Sequence, residues 1–204
     1  MPEYNITDAS LIKLSSNVRR SADRILRATN LIKRLREFGR VEIEGSYSYS
    51  LMISPDIDIR VTAESGRGLG FDARGKIAAE LLTIRTVRRL QMSDRYHFDH
   101  KTGALIGIWF GLGVDHDDER PWNVDIWVVD RCNSQPPQAV DLDGLQSQLQ
   151  HLNPFDRTTI LRIKYAMSGG PHLIKGFTSS DIYHAVLLEK IGSLEGYVES
   201  RNIK

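Results

Sequence analysis

The chain has 204 residues, 41% of them hydrophobic, a formal net charge of +1 and one cysteine. That is enough apolar material for a core without cross-links, and Cys132 has no partner for an internal disulfide. No apolar run reaches the roughly 20 residues needed to span a bilayer, and the polar stretch after Met1 predicts no secretory leader, so a cytoplasmic protein is expected.

From Ala9 to Phe38, apolar residues recur at Leu11, Leu14, Val18, Ala22, Ile25, Leu31, Ile32 and Leu35. This spacing predicts one long amphipathic helix that Gly39 stops. Its other face carries Arg19, Arg20, Arg24, Arg27, Lys33, Arg34 and Arg36. A basic helix of this kind either follows a nucleic-acid backbone or is simply a solvated face. Val41 to Glu44 alternate as a short strand does, Gly45 breaks it, and Ser46 to Met52 predict a turn and short helix ended by Pro55. Asp56 to Val61 form the second strand. Gly66, Gly68 and Gly70 mark a connector, because the strand-then-helix setting of a dinucleotide fingerprint is missing.

A helix is expected from Asp72 to about Leu90, with Ile77, Leu81, Ile84 and Val87 inward and Arg85, Arg88 and Arg89 adding basic charge. Tyr96 to Phe98, a Lys101-Thr102-Gly103 turn, Ala104 to Val114 and Trp122 to Val129 read as a β-meander. Its last two strands are joined by an acidic loop with Asp115, Asp117, Asp118 and Glu119. The Cys132 to Pro137 stretch is the candidate linker. Beyond it, helices are expected over Leu142 to Leu152, over Thr158 to Met167 before Gly169 and Gly170, and over Ser180 to Glu199. The fold class is therefore α+β, a mixed sheet flanked by helices. Residues 1–135 are expected to form the sheet-bearing domain with its N-terminal helix, and 136–204 a C-terminal helical extension.

Three features carry chemistry. Asp56 and Asp58 stand one residue apart in a strand, so both carboxylates share a face while Ile57 and Ile59 take the other. Such a pair repels unless a cation neutralises it, and hard oxygen ligands suit Mg²⁺ bound together with substrate phosphates. Two solvated aspartates on an edge strand are the alternative. Gly45-Ser46 ends the preceding strand, where glycine admits a close phosphate and a hydroxyl at a helix start favours an anion. An ordinary turn would look the same. Asp125 lies in the β-forming run Trp122 to Val129, and a half-buried carboxylate there needs a partner, either a metal or an arginine.

Gly45-Ser46, nine intervening residues, Asp56-Ile57-Asp58 and a later strand with Asp125 together resemble the signature of polymerase-beta-like nucleotidyltransferases. The likeness covers roughly Val41 to Asp130. Leu51-Met52 before the aspartate pair and the tryptophan-flanked strand around Asp125 look most like the bacterial branch near the aminoglycoside and lincosamide (antibiotic) nucleotidyltransferases. Tyr47-Ser48-Tyr49-Ser50 stands where small antitoxin-type members have an Ala-Arg-Gly-like stretch.

The resemblance implies a nucleotidyltransferase-type sheet and an enzyme that moves a nucleoside monophosphate from a triphosphate such as ATP to a hydroxyl, releasing pyrophosphate. It implies two Mg²⁺ ions bridged by Asp56 and Asp58, with Asp125 binding the catalytic ion beside the acceptor hydroxyl and serving as base. Ser46 would donate to the β- or γ-phosphate. The acceptor is expected to be a small molecule, with RNA, a partner protein or a non-catalytic nucleotide-binding role as alternatives. Lys164, near Arg157 and Arg162, is either a nucleotide-binding residue reaching the triphosphate or part of a solvated helix face. His97, His100 and His116 lack a zinc-ligand pattern.

Overall fold

The alternation along Asp56-Ile57-Asp58-Ile59 becomes a central strand in the computed structural model of the chain. The structure describes residues 6–63, 71–95, 107–115, 121–130, 142–169 and 178–202. The glycine connector at Gly66 to Gly70, the expected strand and turn at Tyr96 to Gly103, His97, His100, His116, the acidic tip at Asp117 to Glu119 and the Cys132 to Pro137 linker lie outside the described residues. Among the described residues no helix is long and apolar enough to cross a membrane.

The element order is α1 (Asp8–Thr29), α2 (Leu31–Leu35), β1 (Arg40–Glu44), α3 (Gly45–Ser48), β2 (Asp56–Ala63), α4 (Phe71–Leu82), β3 (Val87–Asp94), β4 (Ile108–Val114), β5 (Trp122–Asp130), α5 (Leu142–Gln150), α6 (Pro154–Gly169), α7 (Ser179–Leu187) and α8 (Leu194–Ser200). These elements fall into two compact units.

The sheet unit comprises Arg20–Tyr47 and Pro55–Val140. Its five described strands run in the order β1-β2-β5-β4-β3. β2 pairs β5 in parallel, whereas β1 with β2, β4 with β5 and β3 with β4 are antiparallel. The expected α+β fold with a mixed sheet is therefore what the chain adopts. One face of the two central strands is apolar: Ile57, Ile59, Val61, Val124, Ile126 and Val128 are each no more than 1% exposed. In the helices of the same unit Ala22, Ile25, Leu31, Leu35, Ile77 and Leu81 are buried as well.

Two expected helices differ from the observed ones in this unit. The N-terminal helix breaks at Asn30, which adopts a left-handed conformation with φ 54°. Asparagine tolerates that region better than most residues, and the carbonyl of Thr29 accepts a hydrogen bond from Arg34 Nε at 3.2 Å. Arg34 also pairs with Glu80, fastening α2 to α4. The helix expected to reach Leu90 ends at Leu82, and Val87 to Asp94 instead form the edge strand β3. Ile84 and Val87 satisfy helical spacing, but the β-branched Thr83, Ile84, Thr86 and Val87 favour an extended chain, and the β3–β4 ladder captures it.

The helical unit comprises Met1–Arg19, Ser48–Ser54 and Asp141–Lys204. Its core includes Leu11 from α1, Leu51 from the short segment between β1 and β2, Leu145 from α5, Ile160 and Ile163 from α6, and Val186 from α7. The carbonyl of Ser50 accepts from Ser15 Oγ at 3.0 Å and from Arg157 at 3.2 Å, which ties that short segment to its own unit. The last expected helix is two helices. α7 begins with a capping box between Thr178 and Asp181, Lys190 turns the chain with φ 60°, and Ser193 caps α8 by accepting from the Gly196 N–H.

Candidate active site

The strand register decides which side chains stand together. Asp58 is the partner of Glu44 on the β1 side and of Asp125 on the β5 side. Asp125 is in turn the partner of Gly111 on β4. Because partners in register share a sheet face, Glu44, Asp58 and Asp125 form a row of carboxylates, and Asp56 lies on the same face two residues from Asp58. All four are half-buried. Asn123 pairs with Asp56, and its N–H donates to the Pro55 carbonyl at 3.0 Å, which fixes the start of β5 against β2.

Gly45 closes the row from above. Its φ of +61° is the left-handed region, and a Cβ built there would stand 2.2 Å from Asp58 Oδ2. Only glycine serves both requirements. Ser46 follows in the single helical turn of α3, and Tyr47 donates from Oη to Asp23 Oδ1 at 2.6 Å, anchoring that turn to α1. The two sequence motifs, Gly45-Ser46 and Asp56-Ile57-Asp58, thus meet through the Gly45–Asp58 approach.

Burial raises the pKa of the Asp125 carboxyl; a hydrogen bond from Trp109 and the charge of Arg89 work in the opposite direction. Burial likewise raises Glu44, opposed by Arg60 and reinforced by Glu42 and Asp58. The Arg60 guanidinium lies 2.8 Å from Glu44 Oε1. One end of the row is therefore neutralised by a cation of the chain itself.

Two residues missed in the sequence bear on Asp125. Trp109 is two positions before Gly111 on β4, so its ring leans along its own strand and covers that glycine. A Cβ at Gly111 would be 2.5 Å from Cζ2 of the indole. Arg89, the β3 partner of Gly113, lies over that second glycine and donates to Asn123 Oδ1 at 3.1 Å. The signal for both was in the sequence: glycine at alternate positions of a β-forming run, Gly111 and Gly113, marks where something lies against the backbone.

Lys164, expected either to bind nucleotide or to lie on a solvated face, belongs to α6. It stands in the helical unit, 6% exposed, with Nζ 3.2 Å from Tyr183 Oη and 5.4 Å from the centroid of that ring. It is therefore not on a solvated face.

The carboxylate chemistry fits a hard divalent cation, since Asp56, Asp58 and Asp125 offer several oxygens from one face of adjacent strands. Among the described residues no three His, Cys, Asp or Glu side chains converge closely enough to enclose a metal.

The sheet order, its parallel central pair and the flanking helices define a nucleotidyltransferase-type fold. Solved structures of nucleotidyltransferases share this fold with the chain. One is the Cid1 poly(U) polymerase bound to MgATP, with TM-score 0.56 and 14% identity over 86% of this chain and 51% of that one. Another is a cytoplasmic RNA terminal U-transferase, with TM-score 0.55 and 14% identity over 90% of this chain and 55% of that one. A further Cid1 structure, described for its RNA terminal uridylyl transferase activity, gives TM-score 0.53 and 14% identity over 90% and 53% of the two chains. The chain thus spans about half the length of the structures it matches. No protein-family model matches it, and no curated protein matches it in sequence.

Proposed function

We propose that the chain is a magnesium-dependent nucleotidyltransferase that joins a nucleoside monophosphate to an acceptor hydroxyl. The observation that carries this reading is the register of Asp58 against Asp125 on neighbouring parallel strands, with Asp56 on the same face and Gly45 against Asp58. Asp56, Asp58 and Asp125 would hold the Mg²⁺, two ions on this reading, which when bound offset the charge of the triphosphate and of the leaving pyrophosphate.

The chain's own groups do the rest. The N–H groups at Gly45 and Ser46 and the Ser46 hydroxyl donate to the phosphate oxygens and orient the α-phosphorus. Asp125 accepts the proton of the acceptor hydroxyl. The hydroxyl oxygen bonds to the α-phosphorus, the bond from that phosphorus to the bridging oxygen breaks, and pyrophosphate departs with the electron pair.

For the acceptor, the terminal hydroxyl of RNA is the better-supported choice. The similar structures are RNA terminal uridylyl transferases and a poly(U) polymerase, and Arg20, Arg24 and Arg27 are exposed along one stretch of α1. A small-molecule hydroxyl, as in the antibiotic-modifying branch, is the second reading. Its sequence support is Leu51-Met52 and the tryptophan-flanked strand around Asp125, and in the structure the acidic residue Asp115 is already engaged by Arg88 at 2.5 Å.

The test is incubation of the protein with each labelled nucleoside triphosphate and Mg²⁺, offering single-stranded RNA in one arm and aminoglycoside or lincosamide acceptors in another. Label in RNA that disappears with Asp58→Ala upholds the reading. Label only in the small molecules transfers it to the second acceptor, and no label in either arm overturns transferase activity.

A further inference from the structure

We infer that Trp109 is a positioning residue that fixes the carboxylate of Asp125, an inference that rests on the function proposed for that carboxylate. Trp109 pairs across the sheet with Trp127, and Gly111 pairs with Asp125. Two residues along a strand advance about 6.8 Å, which is within the reach of an indole laid along its own strand. The ring takes that course, because its Cζ2 and Cη2 atoms would stand 2.5 and 2.7 Å from a Cβ at Gly111. Any residue larger than glycine at 111 would push the ring away. Once over Gly111, the indole is at the level of Asp125 and donates a hydrogen bond to its carboxylate. Its Nε1–H is the one donor the side chain has.

The consequence is a carboxylate held in place by a neutral donor on the strand beside it. A neutral donor orients the group without competing for its charge, as Arg60 does at Glu44. Partners that orient a metal-binding carboxylate typically change metal affinity or activity 10- to 100-fold when removed. Gly111, Trp109 and Asp125 therefore act together, although Gly111 and Trp109 carry no charge.

Trp109→Phe keeps a flat ring on Gly111 and removes only the N–H, so it tests the hydrogen bond rather than the packing. In the wild-type protein the Trp109 indole N–H resonance, assigned by its loss in Trp109→Phe, is expected to shift in Asp125→Asn. Trp109→Phe is expected to lower kcat by about tenfold or more with the KM for the nucleoside triphosphate changed less than about twofold. A resonance indifferent to Asp125→Asn, or a Trp109→Phe enzyme with wild-type kcat, overturns the inference. Should Trp109→Phe fail to fold, Gly111→Ala displaces the ring with the indole intact. The same loss of kcat then upholds the inference and an unchanged kcat overturns it. Should the wild type transfer no nucleotide at all, the functional reading fails and calorimetric Mn²⁺ titration decides. Affinity at least about tenfold weaker in Trp109→Phe upholds the positioning role, and anything less overturns it.

Discussion

The two faces of β2 and β5 are made by the same backbone and obey opposite rules. On one, Ile57, Ile59, Val124 and Ile126 are sealed from water. On the other, Asp56, Asp58 and Asp125 stand half-buried in a row, and burial disfavours the charged form of Asp125. The apolar face stabilises the fold by the area it removes from water, whereas the acidic face costs stability whenever its charges are uncompensated. A sheet selected for stability alone would not keep such a row. The proposed function gives the carboxylates a reason, a cation that offsets their charge.

Substitutions on the two faces should therefore separate activity from stability. The largest effect is expected for Asp58→Ala, which removes the shared centre of the row. Transfer should fall by on the order of 10³-fold, the several kcal/mol a metal ligand contributes to the barrier, while the thermal unfolding midpoint stays within a few degrees of wild type. Turnover retained in that variant would refute the assignment of the acidic face. On the opposite face, Ile57→Ala should lose about 2–5 kcal/mol in urea unfolding, with the activity of each folded molecule preserved. A loss under about 1 kcal/mol would mean that this face is not the core of the sheet unit.

Gly45→Ala joins the two effects. The left-handed backbone alone costs about 1–2 kcal/mol for a residue with a side chain, and the new methyl displaces the Asp58 carboxylate, so stability and transfer should both fall. Full transfer in Gly45→Ala would separate the two motifs. The smallest effect is a gain. In the native protein the Asp125 pKa lies above its unfolded value, so ionisation costs stability as pH rises past the unfolded pKa and on through the folded one. Asp125→Asn should therefore stabilise the metal-free protein at pH 7, and its advantage should vanish below the unfolded pKa of about 3.8. Urea unfolding at pH 7 and near pH 3.5 checks the sign, and a destabilised Asp125→Asn at pH 7 contradicts it.

Local rules carried the reading of this face. Period-two alternation was enough to put Asp56 and Asp58 on the same side, whereas the glycine in Gly45-Ser46, read as room for a phosphate, lies in the structure against the Asp58 carboxylate. The order of strands was not readable, because the pairing of Asp58 with Asp125 joins residues far apart in sequence and depends on β5 inserting between β2 and β4. Helix ends failed where tertiary contacts outweighed periodicity. Leu31, Ile32 and Leu35 continue the apolar stripe of α1, yet the left-handed Asn30 interrupts the helix and Arg34 bonds across the break. Val87 fitted a helix by spacing and became a strand because β4 offered it partners. Trp109 and Arg89 were invisible as site residues because their role comes from two glycines on β4 rather than from their own chemistry.

The short segment Ser48–Ser54 sits between the two halves of the acidic motif in the chain but belongs to the helical unit, where Leu51 is fully buried. During synthesis, Gly45 and Asp58 leave the ribosome with a tether whose packing partners, among them Ile160 and Val186, are more than 100 residues from emerging. Closing so long a loop is entropically slow. The polypeptide passes between the units at Arg19, Tyr47, Ser54 and Val140, so no single proteolytic cut can release one intact from the other. A chain stopped at residue 135 would leave Leu11 and Leu51 without their core, and the grip around Asp58 would be flanked by an unfolded tether. The tether between Gly45 and Asp58 thus settles only once the helices that bury Leu51 have been made.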